Sequence, residues 1–108
     1  MKPIIDKAEI SIDFPDKAYI GSFGHHSVFT VAATAENVQV KLVHPGEDRR
    51  TAEIILHYFL LADIVADVAA AVEKLDGGID DAHREPLLEA AKKLAAALHA
   101  HKTRRAHK

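Results

Sequence analysis

The segment Gly21-Ser22-Phe23-Gly24-His25-His26-Ser27 is the stretch of this chain whose residue types most resemble an active-site loop. Its glycines permit unusual backbone angles beside two imidazoles and two hydroxyls, the ingredients of acid–base or nucleophilic chemistry. A hydrolytic Ser–His pair also needs an orienting carboxylate and an oxyanion site, and the sequence places neither. Neighbouring residues on a strand point to opposite faces, so adjacency does not join these groups. His25, His26 and Ser27 therefore read as a turn or bulge to inspect, no catalytic residue is assigned, and the chain leans away from an enzyme.

Histidine also occurs at 44, 57, 83, 99, 101 and 107. No HExxH is present and no two histidines are four apart, as a helical chelate requires. His99 and His101 would splay around a helix. Neither a metal site nor a cofactor is expected. His57, within Ile54-Ile-Leu-His-Tyr-Phe-Leu-Leu61, is surrounded by apolar residues. It reads as a partly buried ring satisfying a backbone carbonyl, with a pH-sensitive switch as the functional alternative.

Charge is strongly polarised. Up to Glu89 the chain carries eight basic against sixteen acidic residues, and after it six basic and no acidic ones: Lys92, Lys93, Lys102, Arg104, Arg105 and Lys108. Such a segment can bind phosphates by charge and counterion release. It can equally favour a helix macrodipole at its C-terminus, or rest against the acidic body. The expected anionic partner is nucleic acid or an acidic protein. Arg49 and Arg50 adjoin Glu47 and Asp48, and the four read as a solvated hairpin tip.

These groups must be positioned by 108 residues, enough for one modest core. The chain has no cysteine, so disulfides and thiolate chemistry are excluded. No signal-like start is evident, and the apolar run Ile54 to Ala62 falls far short of the roughly 20 residues of a membrane span. A soluble, cytoplasmic protein without membrane contact is the expectation.

Residues 8–14 alternate apolar and polar, as a half-buried strand does. Further strands are expected over 18–23, 28–33 and 38–42. Residues 51–56 fit either a helix with the stripe Ile54, Tyr58, Leu61, Val65, Val68, Val72, or a strand; the strand is favoured, because Leu56 and Leu60 would sit on the helix's polar face. A helix then runs from His57 or Tyr58 to Leu75, Gly77 caps it, and Asp80 or Asp81 caps a second helix. Pro86 either lies in that helix's first turn or kinks a helix begun near Asp81. Alanines along both helices suit close axes.

The result is an α+β fold: an antiparallel meander of four to five short strands, then an antiparallel two-helix hairpin packed on one face of the sheet. A single domain over 1–101 precedes a basic, unfolded tail over 102–108. At the level of topology alone, this order is similar to PUR-repeat and Whirly-type nucleic-acid-binding folds. That resemblance implies a sheet on which bases stack, with Tyr19, Phe23 and Phe29 as the available rings. Ile54 to Leu61 is apolar on every side, more than one sheet and one helix need. Either the segment is central in the monomer, or Ile54, Ile55, Tyr58 and Phe59 form a homodimer interface, which is the expectation, with binding of another protein as an adaptor the alternative.

Overall fold

The computed structural model describes the backbone of residues 1–106 and the side chains of residues 1–101. Six strands precede two helices: β1 (Lys2–Pro3), β2 (Ala8–Phe14), β3 (Lys17–Phe23), β4 (Val28–Ala33), β5 (Asn37–His44), β6 (Arg50–His57), α1 (Tyr58–Glu73) and α2 (Asp81–Ala106). The protein is α+β, with a strand meander followed by a helical hairpin. It divides into two compact units, Met1–Val65 and Ala66–Lys108.

In the first unit, β4, β5 and β6 form an antiparallel meander, and β1 pairs with the outer side of β4 through Lys2↔Phe29 and Pro3↔Val28. The strand order β1-β4-β5-β6 leaves β6 at an edge. A meander through every strand would have set β3 beside β4. Instead β1 takes that place, and β2 with β3 makes a separate two-stranded ribbon. Residues 50–57 are strand, and α1 begins at the next residue, as the polar-face argument requires.

Register sorts the meander into two unlike faces. Phe29, Val31 and Ala33 on β4 share one face with Leu42, Val40 and Val38 on β5 and with Ala52, Ile54 and Leu56 on β6. That face is wholly apolar. The other carries Thr30, Lys41, Gln39, Glu53 and His57 among its residues. At the β4–β5 turn, Thr34 Oγ1 accepts from the Glu36 and Asn37 amides at 3.1 and 3.0 Å, a hydroxyl standing in for a backbone turn partner. Tyr58, the first residue of α1, donates its hydroxyl to the Thr34 carbonyl at 2.7 Å and ties the helix start to that turn. Among the described residues, the buried ones are Phe23, Val43 and Ser27, all at the opposite end of the meander or on β3 beside it.

In the second unit, α1 ends before Gly77 and Gly78, both at positive φ (81° and 71°), where a side chain would be strained. Asp80 is the N-cap of α2: its Oδ1 accepts from the His83 amide at 3.1 Å, and its carbonyl accepts from Arg84 N at 2.9 Å. Pro86 lies inside α2 rather than at its start, and its missing N–H leaves the Ala82 carbonyl without the usual bond four residues on. Every described residue of α2 is exposed. The backbone of α2 continues to Ala106, while the side chains of Lys102, Arg104 and Arg105, and Lys108 entirely, lie outside the described residues. That helical backbone covers 102–106 of the segment expected as a basic unfolded tail, and 107–108 lie outside the described residues.

Candidate functional site

The β3–β4 connection is a tight turn in which the Ser27 amide donates to the Gly24 carbonyl at 2.8 Å. His26 occupies its third position with φ of 70°, where His25 keeps a negative φ. This is the pattern of a type II turn, whose third position ordinarily takes glycine. The strain is held by both neighbours: the Gly24 amide donates to Ser27 Oγ at 3.1 Å, closing the turn from the side-chain direction as well. The imidazoles of His25 and His26 meet with ring centroids 4.0 Å apart, and both residues are exposed.

Ser27 does not pair with either of these histidines. Its Oγ lies 2.9 Å from His44 Nδ1, seventeen residues on. Register explains the meeting: Val28 pairs with Val43, so the next rung outward sets Ser27 opposite His44, and His44 in turn pairs with Arg50. Ser27, just before β4, thus forms with His44 on β5 and Arg50 on β6 one polar rung at the end of the apolar face. Arg50 Nε donates to the Ser22 carbonyl at 2.8 Å, and its guanidinium lies over the Phe23 ring at 5.5 Å. One arginine therefore fastens the β2–β3 ribbon to the edge of the meander. The expectation that Arg50 belongs to a solvated hairpin tip is corrected, because its side chain turns back across the sheet; Arg49 remains exposed.

The chemical capacity of this rung is limited by burial. Ser27 is 1 % exposed, so its hydroxyl is closed to a substrate. Among the described residues no carboxylate hydrogen-bonds His44, and the pair lacks the orienting acid of a triad. A shallow depression of about 520 Å³ lies beside it, with Asp6, Lys7, His25, His44 and Arg50 on its walls. No group of three or more His, Asp or Glu side chains suited to a metal occurs among the described residues. The rung acts as a clamp on the turn.

The rings named for base stacking are divided by the fold. Phe23 is 2 % exposed and packs beneath Arg50, which removes it from any stacking surface; Phe29 is half-buried, and Tyr19 is exposed on the ribbon against Phe14. They do not make one platform. His57 is exposed at the end of β6, opposite Asn37, and not half-buried as its apolar neighbours suggested.

The apolar segment lies open. Ile54 and Ile55, which face opposite sides of β6, are 43 % and 49 % exposed, and Phe59 in the first turn of α1 is 93 % exposed beside the exposed Tyr58 and Leu60. Lys92 and Lys93 are exposed on α2, Lys92 Nζ lying 3.6 Å from Glu89. Sequence reasoning missed His44 and the fastening role of Arg50, since only strand register brings either to Ser27 or Ser22. No described helix is long and apolar enough to cross a membrane. No protein-family model matches the chain, and neither does any curated protein or solved structure.

Proposed function

We propose that this protein is a small cytoplasmic, non-enzymatic interaction module that self-associates through the apolar surface of Ile54, Ile55, Tyr58 and Phe59. The observation that carries this reading is the exposure of Phe59, 93 %, on a helix start pinned to the sheet by Tyr58. A phenyl ring left in water forgoes roughly 2 kcal/mol of transfer free energy, and it stands among further exposed aliphatic groups. A partner surface is the ordinary way to recover it. Sedimentation velocity tests the reading: the native chain is expected to dimerise in the micromolar range, and Phe59→Glu, at a site already in solvent, to remain monomeric with its circular dichroism intact. A chain that stays monomeric at every concentration would sink the proposal.

A second reading concerns the basic segment. The helical backbone of α2 runs past Leu98 to Ala106, so Lys92 and Lys93 stand on the same helix as Lys102, Arg104 and Arg105. An extended helix bearing only positive charge over its last turns suits a polyanion such as nucleic acid, bound without sequence preference. Titration of labelled oligonucleotides at low salt against the native chain and a variant with these five residues replaced by Gln tests it. Equal binding by both would remove the segment from the function.

A further inference from the structure

The edge strand β6 is unusual in what it lacks. Exposed edges of sheets are normally blunted by lysine, proline, a bulge or a short length, because unpaired N–H and C=O groups invite another strand. β6 is eight residues long, reads Arg-Thr-Ala-Glu-Ile-Ile-Leu-His, and contains no lysine, proline or glycine; its charged side chains are Arg50, which turns back to Ser22, and Glu53. It pairs with β5 on one side, and no described strand lies on the other. Ile54 and Ile55 are each nearly half exposed although they project to opposite faces, which is what a missing neighbour in the plane of the sheet produces.

Resting on the self-association reading above, we propose that β6 pairs antiparallel with β6 of a second copy, about a two-fold axis passing between the two Ile55 residues, so that the two four-stranded sheets become one. The axis stands perpendicular to the sheet and preserves its faces, so opposed residues must share a face, which restricts the registers available. Centring on Glu53 opposes two like charges. Centring on Ile54 sets Glu53 against Ile55, a charge against an aliphatic chain. Centring on Leu56 keeps only the last rungs of the strand. Centring on Ile55 places Ile55 against Ile55 and Ile54 against Leu56 of the second copy. It also places Glu53 against its His57, each pairing occurring twice by symmetry. Acid meets imidazole and aliphatic meets aliphatic throughout.

The area is in proportion. Ile54, Ile55, Tyr58, Phe59 and Leu60 expose on the order of 600 Å² together, most of the roughly 800 Å² that each partner contributes to a standard interface. The chain has no cysteine, so one introduced thiol reports its own symmetric neighbour. Residues opposed across antiparallel strands have Cα atoms about 4.5 to 5.5 Å apart, within disulfide reach.

The test uses the full chain with Ile55→Cys, oxidised mildly and run without reductant, beside Phe59→Cys and Thr51→Cys. The expected result is a reducible covalent dimer for Ile55→Cys with little for Thr51→Cys. Ile55→Lys, a charge of the kind that blunts natural edges, is expected to weaken dimerisation by roughly tenfold or more with an unchanged circular dichroism spectrum. A dimer that stays unlinked as Ile55→Cys but becomes covalent as Phe59→Cys would overturn the strand pairing and leave self-association standing. A strict monomer would overturn both.

Discussion

Ser27 Oγ, at the end of the turn before β4, lies 2.9 Å from His44 Nδ1 on β5, and the same hydroxyl accepts the Gly24 amide at 3.1 Å. One buried oxygen thus joins a turn to the sheet beside it. Removing that buried oxygen leaves the Gly24 amide and the His44 ring without the partner each has there.

Ser27→Ala and His44→Ala are each expected to destabilise the fold by about 1 to 3 kcal/mol, the cost of orphaning a buried polar group. Urea unfolding of both single variants and the double variant measures this. The effects should be non-additive by about 1 kcal/mol, because the two groups serve one another. Strict additivity would show the pair to be incidental.

Arg50→Ala removes both the bond to the Ser22 carbonyl and the cation over Phe23. A loss of about 2 kcal/mol is expected. Lysine should recover little of it, since it lacks the planar fork that stacks and donates together. Amide exchange is the sharper readout: protection in β2 and β3 should fall more than in β5. A uniform loss would mean that Arg50 does not fasten the ribbon.

The left-handed conformation of His26 is an avoidable strain. His26→Gly is expected to raise stability by about 1 kcal/mol, and His26→Val to lower it by at least as much, because a Cβ branch suits positive φ worst. Thermal melts of the two variants should move in opposite directions.

Asp80 caps α2, and its hydrogen bonds from the His83 side chain and amide hold its carboxyl below the ordinary value of 3.8. A depressed folded-state pKa means that the cap's contribution is complete above the unfolded value and disappears as pH falls through the lower, folded one. Helicity of the native chain should therefore decline only below about pH 4, where Asp80→Ala already shows the loss at neutral pH. Carbon-detected titration of the Asp80 carboxyl measures the midpoint directly, and one at or above 3.8 would contradict the cap.

The Thr30 hydroxyl is buried on β4 without a hydrogen-bond partner among the described residues. Thr30→Val keeps its shape and removes an unsatisfied group, so the unfolding midpoint should hold or rise, by up to about 1 kcal/mol. A marked loss of stability would reveal a partner such as bound water.

Much of the fold was legible because its signals are local. Alternation over residues 8–14 and 38–42 marks strands, Gly77 and Asp80 mark helix ends, and the misplaced Leu56 and Leu60 decided strand over helix at β6. The ribbon was not legible as separate. Its strands look like any others, and the two-residue β1 that displaces β3 from the side of β4 is too short to leave a pattern. The loop at 21–27 does hold an unusual turn, but Ser27 finds its partner elsewhere, since adjacency in sequence draws His25 and His26 toward it and register supplies His44 instead.

The sequence by its own local signals settled the kind of the longer elements from β2 to the start of α2, together with the charge division at Glu89 and the excess of apolar side chains from Ile54 to Leu61. Periodicity, capping and turn chemistry act over a few residues, so they are written where they operate. Tertiary structure alone decided which residues share a rung: that Ser27 meets His44, that Arg50 reaches Ser22, that Phe23 is covered, and that β6 is left at an edge. Those outcomes depend on strand order and register, which are set by the combined pairing and burial of residues far apart in the chain, and no single stretch of sequence carries them.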